Sequence, residues 1–218
     1  MQKDGSMVYP RLQPGTSAMM MANGQPFMFT QDWFRYAIYN DPNWDPRSLN
    51  LEDMAHASKL NPQGAETWDG DLSAFKSRGA KVIHYHGHED QLISSANSAR
   101  YYEHVRNTMK LNPDQIDSFY RYFQISGMGH CGGGPGAHMI GQSSTASTSL
   151  DPNSNVLMAL VRWVEQGLAP ETIKGTKFNG DSKAKGIKFQ RQHCRYPRRN
   201  RYDGKGNAAS AESWQCIL

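Results

Sequence analysis

The segment Gly127-Met128-Gly129-His130-Cys131-Gly132-Gly133-Gly134-Pro135-Gly136 constrains this chain more tightly than any other. Its glycines leave the backbone more freedom than a helix or a strand interior tolerates, so the segment reads as a loop. The residues before it, Phe119-Tyr120-Arg121-Tyr122-Phe123-Gln124-Ile125, are aromatic and β-branched and predict a strand. His130 is therefore placed on a loop that leaves a strand, with Cys131 beside it. The arrangement recurs upstream, where Lys81-Val82-Ile83-His84-Tyr85-His86 reads as a strand between Gly79 and Gly87. Asp90 follows it in Gly87-His88-Glu89-Asp90-Gln91-Leu92-Ile93. A carboxylate and then an imidazole, each just past a strand, are the last two members of a hydrolase triad in the order Ser…Asp…His.

The periodicity around these loops predicts an α/β fold. Ala99, Tyr102, Val105 and Met109 recur at helical spacing behind a cap at Ser94 or Ser95. Asp69 or Asp71 caps a short helix with Leu72 and Phe75 inward. After the His130 loop, a Ser/Thr-rich linker (142–149) leads to a helix opened by Asp151-Pro152, striped by Val156, Leu160, Trp163 and Val164, and closed by Gly167. Strand, helix, strand, helix implies parallel neighbouring strands with a right-handed crossover. Reactive groups then belong beyond the strands' C-terminal ends.

The flanks read differently. Residues 1–70 show no strand alternation, and Thr30 is a candidate N-cap for a helix with Trp33, Phe34, Ala37 and Ile38 on one face. Residues 171–218 read as a basic, Gly-rich and irregular tail with one short strand near Ile187–Gln190.

In acyl transfer an imidazole deprotonates a serine and then protonates the leaving alcohol, while a carboxylate holds the ring. Asp90 and His130 fit those two roles. The bland alternatives are a solvated turn acid and a surface-loop histidine. A rival lies in the same segment, because His84, His86 and His88 alternate as metal ligands do. A metal-dependent hydrolase would place an Asp and a further His directly after the pair, and here Gly87 ends the strand before His88. No Gly-x-Ser-x-Gly elbow occurs. Gly15-Thr16-Ser17-Ala18-Met19 comes nearest, but it lacks the second glycine and a preceding strand.

The net charge of +4 is concentrated in Arg191, Arg195, Arg198, Arg199 and Arg201. With no recognition helix or aromatic strand motif alongside, this cluster predicts a solvated surface and no nucleic-acid partner. No stretch reaches the roughly 18 apolar residues of a membrane span. Met1-Gln2-Lys3-Asp4-Gly5-Ser6 shows no apolar leader. The cysteines nevertheless favour an oxidising compartment. Cys194 and Cys216 bracket a polar tail that a disulfide would pin. Cys131 is then either a free buried thiol or a residue whose partner lies outside this sequence.

Several of these segments together resemble the tannase and feruloyl esterase family, most of all its fungal feruloyl esterases. They are Gly70-Asp71-Leu72-Ser73-Ala74-Phe75 running into His84-Tyr85-His86-Gly87-His88-Glu89-Asp90, then Ala99-Arg100-Tyr101-Tyr102, Gly127-Met128-Gly129-His130-Cys131 and Cys194-Arg195-Tyr196-Pro197 with Cys216. The resemblance implies the C-terminal part of an α/β-hydrolase fold. Residues 1–70 would be the end of an inserted lid domain, 71–170 the half-core carrying the Asp and His loops, and 171–218 a disulfide-pinned tail. It implies a secreted serine-type ester hydrolase acting on hydroxycinnamate (ferulate) or gallate esters of plant cell walls, with Asp90 and His130 in the triad. It also implies that Cys131 bridges to a cysteine preceding the nucleophilic serine, and neither that cysteine nor that serine has a counterpart here. Family lids hold a structural calcium through an Asp-rich loop that this sequence does not match, so no cofactor is expected in this chain. A non-catalytic binding relic is the remaining reading.

Overall fold

In the computed structural model, residues 15–19, 21–147 and 149–218 are described. Met1–Ser6, where no apolar leader was expected, and Thr148 of the linker lie outside them. The chain divides into two compact units, Ala18–Asp69 and one built mainly on Gly70–Leu218.

In the smaller unit, α1 (Met28–Asp32) runs into a π-helical turn, Trp33–Ile38. Phe27, not Thr30, precedes the first helical residue, so Thr30 lies inside the helix instead of capping it. Phe34 and Ile38 are buried while Trp33 is exposed, because the wider π turn rotates the expected apolar face. Helix α2 (Leu51–Leu60) opens on a capping box in which Asn50 and Asp53 exchange side-chain and backbone hydrogen bonds.

The larger unit opens with α3 (Ser73–Ser77); Leu72, not Asp69 or Asp71, holds its cap position, and Asp71 Oδ1 one residue earlier accepts from Ser73 N at 2.9 Å. Then come β1 (Val82–Gly87), α4 (Ser95–Thr108), α5 (Pro113–Asp117) and β2 (Tyr120–Ile125). Strands β1 and β2 pair in parallel, with His84 opposite Tyr122 and His86 opposite Gln124. The period of two sorts their side chains onto opposite faces. Val82, Tyr120 and Tyr122 join Tyr102 and Val105 of α4 in one apolar cluster. Ile83, Tyr85, Phe123 and Ile125 join Val156 in a second. His84 and His86 thus share the α4 face.

Helix α6 (Val156–Gln166) begins four residues later than Asp151-Pro152 suggests, because Asn155 supplies the cap by accepting from Met158 N at 3.1 Å. Its inward stripe is Val156, Ala159 and Trp163, and Val164 is 59% exposed, contrary to expectation.

Residues 171–218 are not irregular. Strands β3 (Thr172–Phe178) and β4 (Ile187–Cys194) form one antiparallel ribbon, and β5 (Arg199–Tyr202) and β6 (Trp214–Ile217) form another. Isolated bridges tie this region to the rest, Met139 to Thr176 and Phe123 to Arg195. The basic cluster is only partly solvated. Arg195 pairs with Asp117 and Glu171, and Arg191 stacks 4.2 Å over the Trp214 ring.

Cys194 and Cys216 are disulfide-bonded, with Cα atoms 5.7 Å apart. Their separation of 22 residues predicts that the double Cys→Ser variant loses about 3 kcal/mol through loop entropy restored to the unfolded chain. Urea unfolding of both proteins under non-reducing conditions measures this.

Candidate functional site

Asp90 and His130 come from loops that leave the C-terminal ends of β1 and β2. Three backbone contacts bring those loops together: His88 N donates to Ile125 O (3.0 Å), Glu89 N to Met128 O (2.9 Å), and Gly87 sits where any Cβ would lie 2.3 Å from Met128 O. Only glycine fits there. Gly87→Ala is expected to cost about 2–3 kcal/mol and to part the two loops. A melting curve together with the Asp90–His130 contact in a structure of the variant checks it.

The carboxylate of Asp90 is only 3% exposed and is fully engaged. Oδ1 accepts from Leu92 N at 2.8 Å and Ile93 N at 2.9 Å. Oδ2 lies 2.9 Å from His130 Nδ1 and 3.0 Å from His86 Nε2. Burial alone would raise its pKa, but the hydrogen bonds from Ile93, His130, Leu92 and His86 outweigh burial and hold it below the ordinary carboxylate value. An ionised carboxylate only accepts, so His130 carries its proton on Nδ1 and leaves a basic lone pair on Nε2. The His130 side chain is 42% exposed and borders a cleft of about 440 Å³ with Cys131, Gly133, His138 and Gln142. Such an imidazole is equipped to take a proton from a nucleophile and return it to a leaving group.

Cys131 is exposed and free, which removes the buried-thiol alternative. It adopts φ +59°, a left-handed conformation uncommon outside glycine.

The three upstream histidines do not form a ligand set. His84 contacts Tyr120 and Ser98, and His86 contacts Ser98 and Asp90. His88 lies past the strand end, its pKa lowered by burial and then by the charge of His86. Among the described residues no three His, Cys, Asp or Glu side chains are grouped for a metal. In the smaller unit three carboxylates are engaged locally: Asp45 accepts from Arg47 N, Asp41 from Asn43 N, and Asp53 from Asn50 N and Tyr39. Engaged in this way, Asp41, Asp45 and Asp53 do not converge on a calcium site.

The sequence reading missed His86 as a partner of Asp90 and Ser98 as the partner of His86 behind it. Their signals were present. His86 precedes Asp90 by four residues across the strand end, and Ser98 extends the Tyr102, Val105 and Met109 face of α4 by one more turn.

A family model described as "Tannase and feruloyl esterase" matches residues 12–217. The chain is similar to the "Probable feruloyl esterase B-2" of Aspergillus terreus, with 50% identity over 219 residues, 99% of this chain and 41% of that protein. Among solved structures, an esterase from Aspergillus oryzae matches with a TM-score of 0.92 at 50% identity, over 98% of this chain and 43% of its own. Feruloyl esterase B from Aspergillus oryzae matches with a TM-score of 0.90 at 44% identity, over 99% of this chain and 43% of its own. The chain thus spans about two fifths of the length of the curated relatives it matches.

Proposed function

Because the chain belongs to the tannase and feruloyl esterase family, we propose that it supplies the acid–base half of a secreted serine esterase that cleaves hydroxycinnamate esters, ferulate above all, of plant cell-wall polysaccharide. The fold is the C-terminal part of an α/β-hydrolase, with Ala18–Asp69 the end of its lid. The observation that carries this reading is the Asp90 Oδ2 to His130 Nδ1 contact of 2.9 Å with His130 Nε2 left at the edge of a cleft.

In this mechanism the nucleophilic serine lies in sequence beyond these 218 residues. His130 Nε2 accepts the serine proton as Oγ attacks the ester carbonyl, and the resulting imidazolium is stabilised by Asp90. The imidazolium then protonates the departing sugar oxygen, leaving an acyl-enzyme. Water enters, His130 removes its proton, and ferulate is released with the serine restored. Cys131, exposed next to His130, is positioned to bridge to a cysteine beside that serine and so fasten the two halves of the site.

The 218-residue chain assayed by itself with methyl ferulate and methyl gallate is expected to give no turnover above buffer, since orienting acid and base without a nucleophile lack the covalent step. Turnover that Ser17→Ala abolishes would put the nucleophile inside the chain and overturn the proposal. A complete gene product that is also inert would instead support the binding relic.

A further inference from the structure

Behind Asp90 runs a continuous line of polar side chains that the acyl-transfer steps do not use. Tyr120 Oη lies 2.8 Å from His84 Nδ1, and His84 Nε2 lies 2.9 Å from Ser98 Oγ. Ser98 Oγ lies 2.6 Å from His86 Nδ1, and His86 Nε2 lies 3.0 Å from Asp90 Oδ2, the oxygen that also meets His130. We propose that Tyr120, His84, Ser98 and His86 are positioning residues, a one-directional hydrogen-bond chain that ends on Asp90 and through it orients the His130 ring.

The direction follows from the end of the chain. An ionised carboxylate only accepts, so His86 donates from Nε2 and its neutral ring accepts at Nδ1. Ser98 must then donate to His86 and accept from His84 Nε2. That leaves His84 Nδ1 to accept the Tyr120 hydroxyl proton. Tyr120 donates at the head of the line, the two rings and the Ser98 hydroxyl each donate once and accept once, and every proton points towards Asp90. A protonated His86 would break the pattern, because Ser98 would face two N–H donors and its own hydrogen would lose this partner. His84 is held neutral chiefly by burial, which lowers its pKa to about 4.

The chain has a mechanical consequence. Leu92 and Ile93 pin only Oδ1 of Asp90. The bond from His86 fixes Oδ2 as well, so the carboxylate cannot turn about Cβ–Cγ and its remaining lone pair stays aimed at His130 Nδ1. The supports are rigid: Tyr120 is buried on β2, Ser98 on α4, and both histidines lie on β1. Buried polar side chains often do no more than satisfy one another. A purely packing role would leave His130 indifferent to Ser98, and that difference is measurable.

This inference rests on Asp90 and His130 acting as a pair, so the test separates the two claims. The ring ¹⁵N–¹H NMR spectrum of the histidine-labelled 218-residue chain, recorded at neutral pH, is expected to show His84 and His86 as Nε2–H tautomers and His130 as an Nδ1–H protected from water. Ser98→Ala is expected to leave His86 in mixed tautomers and to speed exchange of the His130 proton about tenfold. Ser98→Thr and His86→Gln, which keep a hydroxyl and a donor in place, are expected to restore protection. Should Ser98→Ala fail to fold, Tyr120→Phe carries the same test through the His84 tautomer and His130 exchange. An Nδ1–H tautomer for His86, or a His130 proton indifferent to the variant measured, overturns the chain. Asp90→Asn distinguishes the other failure: if it removes the His130 signal while Ser98→Ala does not, the pair stands and the chain falls. If Asp90→Asn changes nothing, the pair itself is wrong.

Discussion

Replacing His130 with alanine in the gene product that contains this chain and its nucleophile is expected to lower kcat about 10,000-fold with KM nearly unchanged. The ring acts on the proton in transit and not on the bound ester, so its loss raises the barrier without weakening ground-state binding. Asp90→Asn is expected to cause a similar loss for a different reason. An asparagine amide facing His130 Nδ1 donates where the carboxylate accepted, so the ring takes the Nε2–H tautomer and can no longer receive the serine proton. Steady-state kinetics on methyl ferulate with protein of verified fold measures both. A drop in kcat/KM confined to KM would mean that these residues bind substrate instead of moving protons.

Acid is expected to destabilise the chain well before its carboxylates titrate. His193 is lowered to about 4 by burial first and then by the charges of Arg191 and His88, against the opposing hydrogen bond to Ala137 O. His84 is likewise lowered to about 4, from an ordinary value of 6.5. Between those limits the unfolded chain binds protons that the folded chain refuses. Stability is therefore fully present above about pH 6.5 and falls as the pH drops towards 4. At pH 5 each histidine accounts for about 2 kcal/mol of that loss, roughly 4 kcal/mol together. Asp90, whose folded pKa is also depressed, adds its own loss only below its ordinary value of 3.8. Urea unfolding at pH 7.5, 6 and 5 is expected to show the decline, and His193→Gln to remove about half of it. A flat profile would contradict the neutral, buried state of both rings.

These effects trace to parts of the chain that differ in how plainly the sequence announces them. Strands β1 and β2 were legible as aromatic and β-branched runs, packed on both faces, and helix α4 because a period of about 3.6 survives in Tyr102 and Val105 on its buried face. Asp90 and His130 were legible because Gly87 ends the strand before the first and glycines flank the second on both sides. The tail was not. Strands β3 and β4 carry Lys, Gln, Arg and Thr, and the pairing that makes them strands links Thr172 to Cys194 and Lys177 to Phe189 across the chain. Gly175 also reads as a strand breaker. In fact it lets the His193 ring and Ala137 O approach where a Cβ would stand 2.5 Å and 2.0 Å from them. The His84–Ser98–His86 line was hidden for a related reason. Ser98 looks like solvent-facing polarity in an amphipathic pattern until the β1 histidines are laid against it.

That Asp90 and His130 are the acid–base pair of an esterase whose serine lies outside these 218 residues is tested most directly by covalent labelling. The complete gene product, treated with a fluorophosphonate, would be digested and its phosphonylated peptide sequenced. Attack of a serine Oγ on phosphorus with loss of fluoride requires the general base, so the label is expected on one serine beyond this segment and is expected to vanish in the His130→Ala protein. Label on Ser17 or any other serine of this chain, or labelling that persists undiminished without His130, would contradict the assignment.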